Sequence, residues 1–426
     1  MYKKILKNKS FLGYWGSTTL MRLASNILQF ALAIYVLDLT GSALVFSAVL
    51  SVIIFPRIIG TPIAGYLADF KDCLRILKLG ALGLMSLMLS FFLIHTLINP
   101  LSVPLIYVLV ICLELCETLI SASDAKAIIC IVDEDQLSAA SKLSSLDDGI
   151  VEILSPVIAG FAYGLFGLQA VLLVTLISEL GAFLLTLMLR PRANNRTENP
   201  GIVNKKSLFR SAMVSYKEAI ASLREYNYLL GIILFAPLFN FFVSPLFSVT
   251  FSHFIRITLQ SSIEVYTACN FALGIASVVA PFVAMWLIRD KAEHNANLGG
   301  TIICAFLMLI MSFVTKNLSS IQSGTLLSIV AGAMVLAVII ITIMSIATTI
   351  TVKTSIPEQV LGRITSIIQL SAIVSTPLGQ LLYGYFADRF SVFLSFTCSS
   401  LGLLATYMIM KKTYKKIKRE KGKNGY

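Results

Sequence analysis

Six ionisable side chains lie deep inside long apolar stretches of this 426-residue sequence. They are Arg22, Arg57, Glu114, Glu117, Glu152 and Glu179. Placing an ionised group at the centre of a membrane-spanning helix costs about 2.5–3.5 kcal/mol on an insertion scale, so such groups indicate ion pairing or function. Because two arginines cannot neutralise four acids, we expect at least one glutamate to carry a proton during part of a functional cycle.

Helical spacing places most of these groups on polar stripes. At 100° per residue, Glu114, Glu117, Ser121 and Asp124 fall within an arc of about 80°. We predict a proton-coupling set of Glu114, Glu117, Glu152 and Arg22. We predict that a substrate cavity is lined by Asn26, Gln29, Arg57, Ser121, Asp124, Asn240, Ser345 and Gln369. The alternative is that the charges form buried ion pairs that only hold helices together. For Glu179, a local packing role is equally compatible with the sequence.

The elements that must position these residues are membrane-spanning helices. The chain is 57% hydrophobic and 13% charged with a mean hydropathy of +0.85, whereas soluble domains carry about 25% charged residues. A soluble globular protein is therefore excluded. The sequence predicts an all-α membrane protein whose twelve spans cover residues 11–37, 44–68, 76–98, 101–129, 141–165, 168–190, 228–252, 263–288, 297–315, 322–350, 362–386 and 390–410.

The spans fall into two six-helix pseudo-repeats. Landmarks recur at a lag of 218 to 223 residues, such as DQL at 135–137 and EQV at 358–360. Two parallel repeats occur in transporters that expose a binding site near the membrane midplane to one side of the membrane at a time. The predicted organisation is a first bundle, a cytoplasmic central loop, a second bundle and a basic cytoplasmic tail, at 1–190, 191–227, 228–410 and 411–426.

Lysine and arginine positions predict the orientation. With the N-terminus inside, 29 of the 34 Lys and Arg residues fall on the cytoplasmic side and three on the outer side. Such an excess of basic residues is typical of cytoplasmic loops, so both termini are predicted to be cytoplasmic. This asymmetry also accounts for the net charge of +12 without a nucleic-acid partner.

Motifs for catalysis or for cofactor binding are missing from the sequence. The seven cysteines are scattered without a CxxC pair, and the three histidines are far apart. The sequence contains no HExxH, GxSxG or phosphate-binding loop. We therefore predict that the protein is not an enzyme and binds no cofactor or metal.

The segment GYLADFKDCLR at 65–75 resembles the GxLaDrxGrk signature of the major facilitator superfamily. Gly65, Leu67, Ala68 and Asp69 match, while the basic positions are displaced to Lys71 and Arg75. The resemblance implies a cytoplasmic gate motif of Gly65, Asp69, Lys71 and Arg75, in which the carboxylate pairs with basic groups or a helix N-terminus of the other half. The similar GYFADRF at 384–390 falls on the predicted outer side, and we interpret it as a remnant of the repeat rather than a second latch.

Three further segments, 27–43, 133–141 and 357–367, resemble the bacterial macrolide and drug efflux branch of that superfamily. This resemblance implies proton-coupled efflux of amphipathic drugs by a monomer in the bacterial plasma membrane, with protons, small molecules and membrane lipid as partners. The arginine that many proton-driven exporters carry in the fourth span is missing, and Glu114 and Glu117 lie in that span instead. The alternatives are a facilitator or importer of a lipid or small metabolite, and a non-transporting receptor or scaffold.

Overall fold

Every regular element in the described part of the chain is a helix. The computed structural model describes residues 5, 8–70, 72–97, 101–132, 134–190, 230–287, 293–317, 322–355 and 358–423. The helices are α1 (Lys9–Thr40), α2 (Ala43–Val52), α3 (Ile54–Phe70), α4 (Cys73–Leu97), α5 (Val103–Ile131), α6 (Glu134–Thr186), α7 (Leu230–Phe242), α8 (Ile263–Leu287), α9 (Glu293–Lys316), α10 (Ser323–Ser355), α11 (Glu358–Arg389) and α12 (Val392–Lys423).

Ten segments within these ranges are long and apolar enough to cross a membrane. The all-helical fold class is therefore confirmed, whereas the count of twelve spans and the orientation of the termini stay predictions. Most of these segments match predicted spans closely. A span predicted at 44–68 is divided into α2 and α3, and the predicted span at 228–252 begins as α7 and continues through π-helical turns at Leu246–Thr250 and Phe254–Thr258.

The helix α6 contains a break that separates two predicted spans. At 1.5 Å per residue its 53 residues would extend about 80 Å, against about 30 Å for the hydrocarbon core of a bilayer. Gly167 interrupts the helix with φ +72°, in the left-handed region that glycine adopts without steric cost. The break coincides with the boundary between the spans predicted at 141–165 and 168–190.

The chain forms two compact units, and their boundaries differ from those of the two sequence halves. Unit 1 contains residues 1–39, 52–204 and 263–271, and unit 2 contains the rest. The beginning of α8 thus belongs with the first-half helices. In the same way, α2 belongs with the second-half helices.

Small residues allow the helices of unit 1 to approach closely. A Cβ atom at Gly13 would lie 3.0 Å from the carbonyl oxygen of Leu185, and one at Gly80 would lie 2.5 Å from Cγ1 of Ile120. These contacts join α1 to α6 and α4 to α5. Close approach through small residues is the usual way in which membrane helices associate, because lipid supplies no hydrophobic drive for helix pairing.

Unit 2 is held by buried hydroxyl groups as well as by apolar packing. The Tyr383 hydroxyl lies 2.7 Å from Ser399 Oγ and donates to the Phe242 carbonyl at 2.9 Å. Ser400 on α12 donates to the Ala305 carbonyl on α9 at 2.9 Å. These bonds tie α7, α9, α11 and α12 together.

Candidate functional site

A polar cavity of about 350 Å³ lies among α1, α3, α4 and α5 of unit 1. The polar stripe on α5 faces this cavity, as the helical spacing predicted, and α1 supplies the facing stripe. The lining residues are Thr18, Met21, Arg22, Ser25, Asn26, Arg57, Thr61, Leu84, Glu114, Glu117, Thr118, Ile120, Ser121 and Asp124.

One wall of the cavity carries an ion pair between α3 and α5. Arg57 Nε donates to Glu114 Oε1 at 2.7 Å, and the Glu114 side chain is only 3% exposed while that of Arg57 is 49% exposed. The guanidinium compensates the buried carboxylate and still reaches the cavity. Glu114 is therefore in part a structural partner, as the ion-pair alternative anticipated.

Glu117 lies one turn further along α5, in a different environment. Ser25 Oγ on α1 donates to Glu117 Oε1. The charged groups that act most strongly on the Glu117 carboxyl are Glu114 and Arg57, and Arg57 already pairs with Glu114. Within the described part of the chain, Glu117 has a hydrogen bond but no direct ion pair.

A second charged group joins α1 to the far end of the α5 stripe. Arg22 Nη2 lies 3.4 Å from Asp124 Oδ2, and the Tyr14 hydroxyl donates to Asp124 Oδ1 at 2.7 Å. Both side chains of the ion pair are partly exposed, at 32% and 26%. Arg22, predicted as a proton-coupling residue, thus contacts an acid predicted only as a cavity residue.

Glu152, the third acid of the predicted coupling set, has a side chain outside the described residues. Its helix, α6, does approach α1, because Thr19 Oγ1 donates to Asp147 Oδ2 at 2.6 Å. Asp147 is 6% exposed. The sequence analysis singled out Glu152 on this helix and did not identify Asp147.

Glu179 on α6 is buried rather than turned towards lipid. It is 3% exposed, and its Oε2 atom accepts no hydrogen bond from the described residues. Glu117 is close enough to act on it electrostatically. Glu117 thus lies within electrostatic range of both Glu114 and Glu179.

Unit 2 contains a separate cavity of about 510 Å³ whose described lining residues carry no charge. Predicted residues Asn240 and Ser345 line it. Asn240 Nδ2 donates to the Ala236 carbonyl at 2.9 Å, within its own helix, and the rings of Phe235 and Phe239 are stacked with centroids 5.6 Å apart. The remaining lining residues are Ala236, Ile341, Met344, Thr348, Thr349, Val352, Thr365 and Ile368.

The other predicted site residues have different outcomes. Asn26, Arg57, Ser121 and Asp124 line the unit 1 cavity, whereas Gln29 is half-buried on α1 and is not among the lining residues. The side chain of Gln369 lies outside the described residues.

For the gate motif, the structure describes one side chain. Arg75 is exposed near the start of α4, while Lys71 and the side chain of Asp69 lie outside the described residues. Gly65 belongs to α3. The cytoplasmic gate motif therefore stays a prediction.

The second copy of the motif, at 384–390, makes specific hydrogen bonds to another helix, which a mere remnant of duplication would not need. The Asp388 carboxylate accepts hydrogen bonds from Ser42 Oγ and from the backbone N–H groups of Ala43 and Leu44. The sequence interpretation of 384–390 as repeat alone missed this role, because only the folded chain shows which helix end lies beside Asp388.

Sequence reasoning also missed several hydroxyl groups of the unit 1 site, among them those of Thr18, Ser25 and Tyr14. Thr18 and Ser25 line the cavity, and Tyr14 binds Asp124. On α1, Thr18 and Ser25 lie three or four residues from Arg22 or Gln29, on the helix face that also carries Asn26. Helical spacing could therefore have indicated both. No such pattern indicates Tyr14, whose partner lies 110 residues away.

Comparison with known proteins agrees with this architecture. The family model of the Major Facilitator Superfamily matches residues 14–376. Macrolide efflux protein A of Streptococcus pyogenes is 22% identical over 393 residues, which cover 90% of each chain.

Solved transporters share the fold. A bacterial homologue of the iron transporter ferroportin, in an inward-facing state, has a TM-score of 0.71 at 14% identity, covering 96% of this chain and 99% of the other. A D-xylose-proton symporter has a TM-score of 0.67 at 12% identity, covering 94% and 96%. The chain therefore belongs to the Major Facilitator Superfamily, as a multi-pass membrane transporter of small molecules and not an enzyme.

Proposed function

We propose that this protein is a proton-coupled exporter of amphipathic, cationic compounds such as macrolides. The observation that carries the proposal is Glu117, a carboxyl group that lines the unit 1 cavity without a direct ion pair among the described residues. A carboxylate in this position can bind either a proton or a protonated amine, but not both. Competition for one group is a simple physical basis for exchanging a substrate for protons.

The surrounding groups support this assignment. Arg57 neutralises Glu114, and Arg22 lies beside Asp124. Glu117 and Glu179 have no such ion pair among the described residues. Burial without a compensating cation disfavours the ionised form of a carboxyl group. Glu117 and the buried Glu179, whose Oε2 atom accepts no hydrogen bond from the described residues, are therefore our candidates for proton carriers. Glu152 stays in the predicted coupling set.

The unit 2 cavity is suited to apolar and aromatic groups. Its stacked Phe235 and Phe239 rings offer aromatic surface, and Asn240 and Ser345 add weakly polar groups. We assign to this region an influence on which compounds are transported. Proton coupling is assigned to unit 1.

Direction and topology complete the proposal. The 22% identity with macrolide efflux protein A supports efflux. The distribution of Lys and Arg supports cytoplasmic termini, in the plasma membrane of a bacterium, with Asp69 and its neighbours forming the cytoplasmic gate. Family resemblance supports a monomer.

The test is proton movement induced by substrate in inverted membrane vesicles. A macrolide, a lipophilic cation and a fluoroquinolone are each added to vesicles that contain wild-type protein, Glu117→Gln or Glu264→Gln. Glu264 is an exposed acid on α8 that does not line the charged cavity, so its variant is the matched control. We expect at least one compound to release protons with wild type and with Glu264→Gln, and to release none with Glu117→Gln.

Two outcomes would contradict the proposal. Equal proton release by Glu117→Gln and wild type would remove Glu117 from the coupling mechanism. Uptake of radiolabelled compounds without any proton movement would identify a facilitator, and the acids would then act as structural ion-pair partners.

A further inference from the structure

The end of α12 carries a strong excess of positive charge. Residues 411–423 contain eight Lys and Arg residues and a single acid, Glu420. At 1.5 Å per residue, the 32 residues of α12 extend about 48 Å, whereas the hydrocarbon core of a bilayer is about 30 Å thick. The basic end of the helix is therefore long enough to reach beyond the hydrocarbon core, into the region of the lipid headgroups.

The first part of this basic end has one buried face and one exposed face. Thr413 and Tyr414 are each only 6% exposed, and the lysines on either side of them are exposed. The lysines of the exposed face, named here the lysine cluster, are Lys411, Lys412, Lys415 and Lys416. At 100° per residue the four fall within an arc of about 140°, opposite the two buried residues.

The lysine cluster contains two pairs of like charges at a spacing of four residues, Lys411 with Lys415 and Lys412 with Lys416. Side chains four residues apart are neighbours on a helix surface, and like charges at this spacing destabilise the helix. Anionic groups bound to the cluster remove this repulsion. Their binding therefore stabilises the helical turn that carries Tyr414.

An anionic phospholipid headgroup has the charge and the position that the lysine cluster requires. The distribution of Lys and Arg predicts that this end of α12 lies on the cytoplasmic side of the membrane. The cytoplasmic leaflet has a negative surface potential, which attracts basic segments that adjoin a membrane span. The predicted span at 390–410 ends directly before the cluster.

Tyr414 connects this helix end to the unit 2 cavity. Asn297 Nδ2 on α9 donates to the Tyr414 hydroxyl at 2.9 Å, and Thr348 Oγ1 on α10 donates to Asn297 Oδ1 at 3.2 Å. Asn297 is only 1% exposed, and Thr348 lines the unit 2 cavity. One buried side-chain amide thus joins α12 to the wall of the cavity.

Close packing of α9 against α10 reinforces this connection. A Cβ atom at Gly300 would lie 2.5 Å from Cγ of Met344, so glycine at this position lets the two helices approach closely. Met344, like Thr348, lines the unit 2 cavity. Because close-packed interiors transmit small displacements, a shift of Asn297 on α9 reaches the cavity wall on α10.

We propose that the lysine cluster is a binding site for the headgroups of anionic phospholipids, and that its occupancy regulates substrate binding in the unit 2 cavity through Tyr414, Asn297 and Thr348. The regulatory part rests on the proposed function, which assigns substrate contacts to this cavity. Bound headgroups keep the turn around Tyr414 helical, so that Asn297 keeps its hydrogen bonds and Thr348 its position. Without anionic lipid the lysines repel one another, the turn loosens, and the cavity binds substrate less tightly.

The first measurement is the thermal unfolding midpoint of purified protein in a neutral detergent, with added phosphatidylglycerol or phosphatidylcholine. The test variant combines Lys411→Gln, Lys412→Gln, Lys415→Gln and Lys416→Gln, and the matched control has arginine at the same four positions. Phosphatidylglycerol should raise the midpoint of wild type and of the arginine control by about 3 °C more than phosphatidylcholine does. The glutamine variant should lose most of this difference.

Two smaller variants keep the site testable if the fourfold variant does not fold. Lys411→Gln with Lys415→Gln, and Lys412→Gln with Lys416→Gln, should each lose about half of the lipid-dependent difference. A difference that is retained in full by the glutamine variants would overturn the proposal. An equal rise of the midpoint with glycerol 3-phosphate in place of lipid would show that a free phosphate ester fills the site, and would overturn the assignment to lipid.

The second measurement separates regulation from binding. The KM of a transported compound is measured in vesicles of phosphatidylcholine alone and in vesicles with equal amounts of phosphatidylcholine and phosphatidylglycerol, for wild type, Tyr414→Phe and Tyr407→Phe. Tyr407 is a half-buried tyrosine two turns earlier on α12, so its variant is the matched control.

Phosphatidylglycerol should lower the KM of wild type and of Tyr407→Phe about fivefold. It should leave the KM of Tyr414→Phe unchanged, although the unfolding midpoint of this variant still responds to the lipid. An equal response of KM in Tyr414→Phe and wild type, or no response in wild type, would overturn the regulatory connection.

The two measurements are independent of proton coupling. The unfolding midpoint requires neither substrate nor a proton gradient, and the KM requires a transported compound but no proton movement. A failure of proton coupling would therefore leave both results interpretable, and a midpoint that does not respond to anionic lipid would leave the coupling experiment unaffected.

Discussion

The two cavities of this transporter differ in what their walls can bind. The unit 1 cavity is lined by Arg22, Arg57, Glu114, Glu117 and Asp124, whereas the described lining of the unit 2 cavity carries no charge and includes stacked phenylalanine rings. Charged groups near the middle of a membrane are costly, so their concentration in one unit indicates a division of roles. Unit 1 is suited to protons and cations, and unit 2 to apolar groups.

The largest expected effect comes from neutralising the acid that lacks a direct ion pair. Glu117→Gln should abolish proton release coupled to substrate, because the amide cannot take up or release a proton, while exchange of labelled for unlabelled substrate continues with a raised KM, because the neutral amide no longer attracts the amine. Fluorescence of a pH indicator and counterflow of labelled substrate in vesicles measure the two activities separately. Proton release that persists in a Glu117→Gln variant with measurable counterflow would contradict this prediction.

Breaking the Arg57–Glu114 pair should have the next largest effect, this time on stability. Arg57→Met leaves the buried Glu114 carboxylate without its cation, and because Arg57 is half exposed we expect the loss of this charge-assisted hydrogen bond to cost about 1.5–3 kcal/mol. The thermal unfolding midpoint of purified protein should fall, and adding Glu114→Gln should recover most of the loss. A double variant that is as unstable as the single one would contradict this assignment.

A smaller effect is expected in the uncharged cavity. Phe239→Ala removes one ring of the stacked pair and should raise the KM for the most apolar substrates about tenfold, which corresponds to about 1.4 kcal/mol. Proton stoichiometry should not change. Phe313→Ala, which removes a ring that is 70% exposed on α9, is the control. A change in proton stoichiometry in Phe239→Ala would contradict the assignment of proton coupling to unit 1 and of apolar binding to unit 2.

The smallest effect compares two tyrosine hydroxyls. Tyr14→Phe removes a hydrogen bond to Asp124, and Tyr383→Phe removes bonds to Phe242 and Ser399. Each should cost about 1 kcal/mol of stability. Only Tyr14→Phe should also lower the rate of transport, because only Tyr14 contacts a residue that lines the charged cavity. Equal transport rates for the two variants would show that the Tyr14–Asp124 bond does not help to position the cavity.

Local patterns were sufficient to predict the α5 stripe. Glu114, Glu117, Ser121 and Asp124 all line the cavity, since helical periodicity alone places them on one face. Periodicity could not identify which acids would be paired. Arg57 lies on another helix, α3, and pairs with Glu114 rather than with Glu117. Which of the two acids it reaches depends on how α3 packs against α5.

The sequence by itself determined the helical membrane class, the approximate positions of the apolar helices, the polar stripes and the resemblance to the superfamily. These features follow from composition and helical periodicity, which are properties of short segments. Only the tertiary structure decided that Tyr14 binds Asp124, that Glu179 is buried near Glu117, and that Asp388 caps α2. Each of these contacts joins segments that are distant in sequence, and which side chains meet depends on how the helices pack.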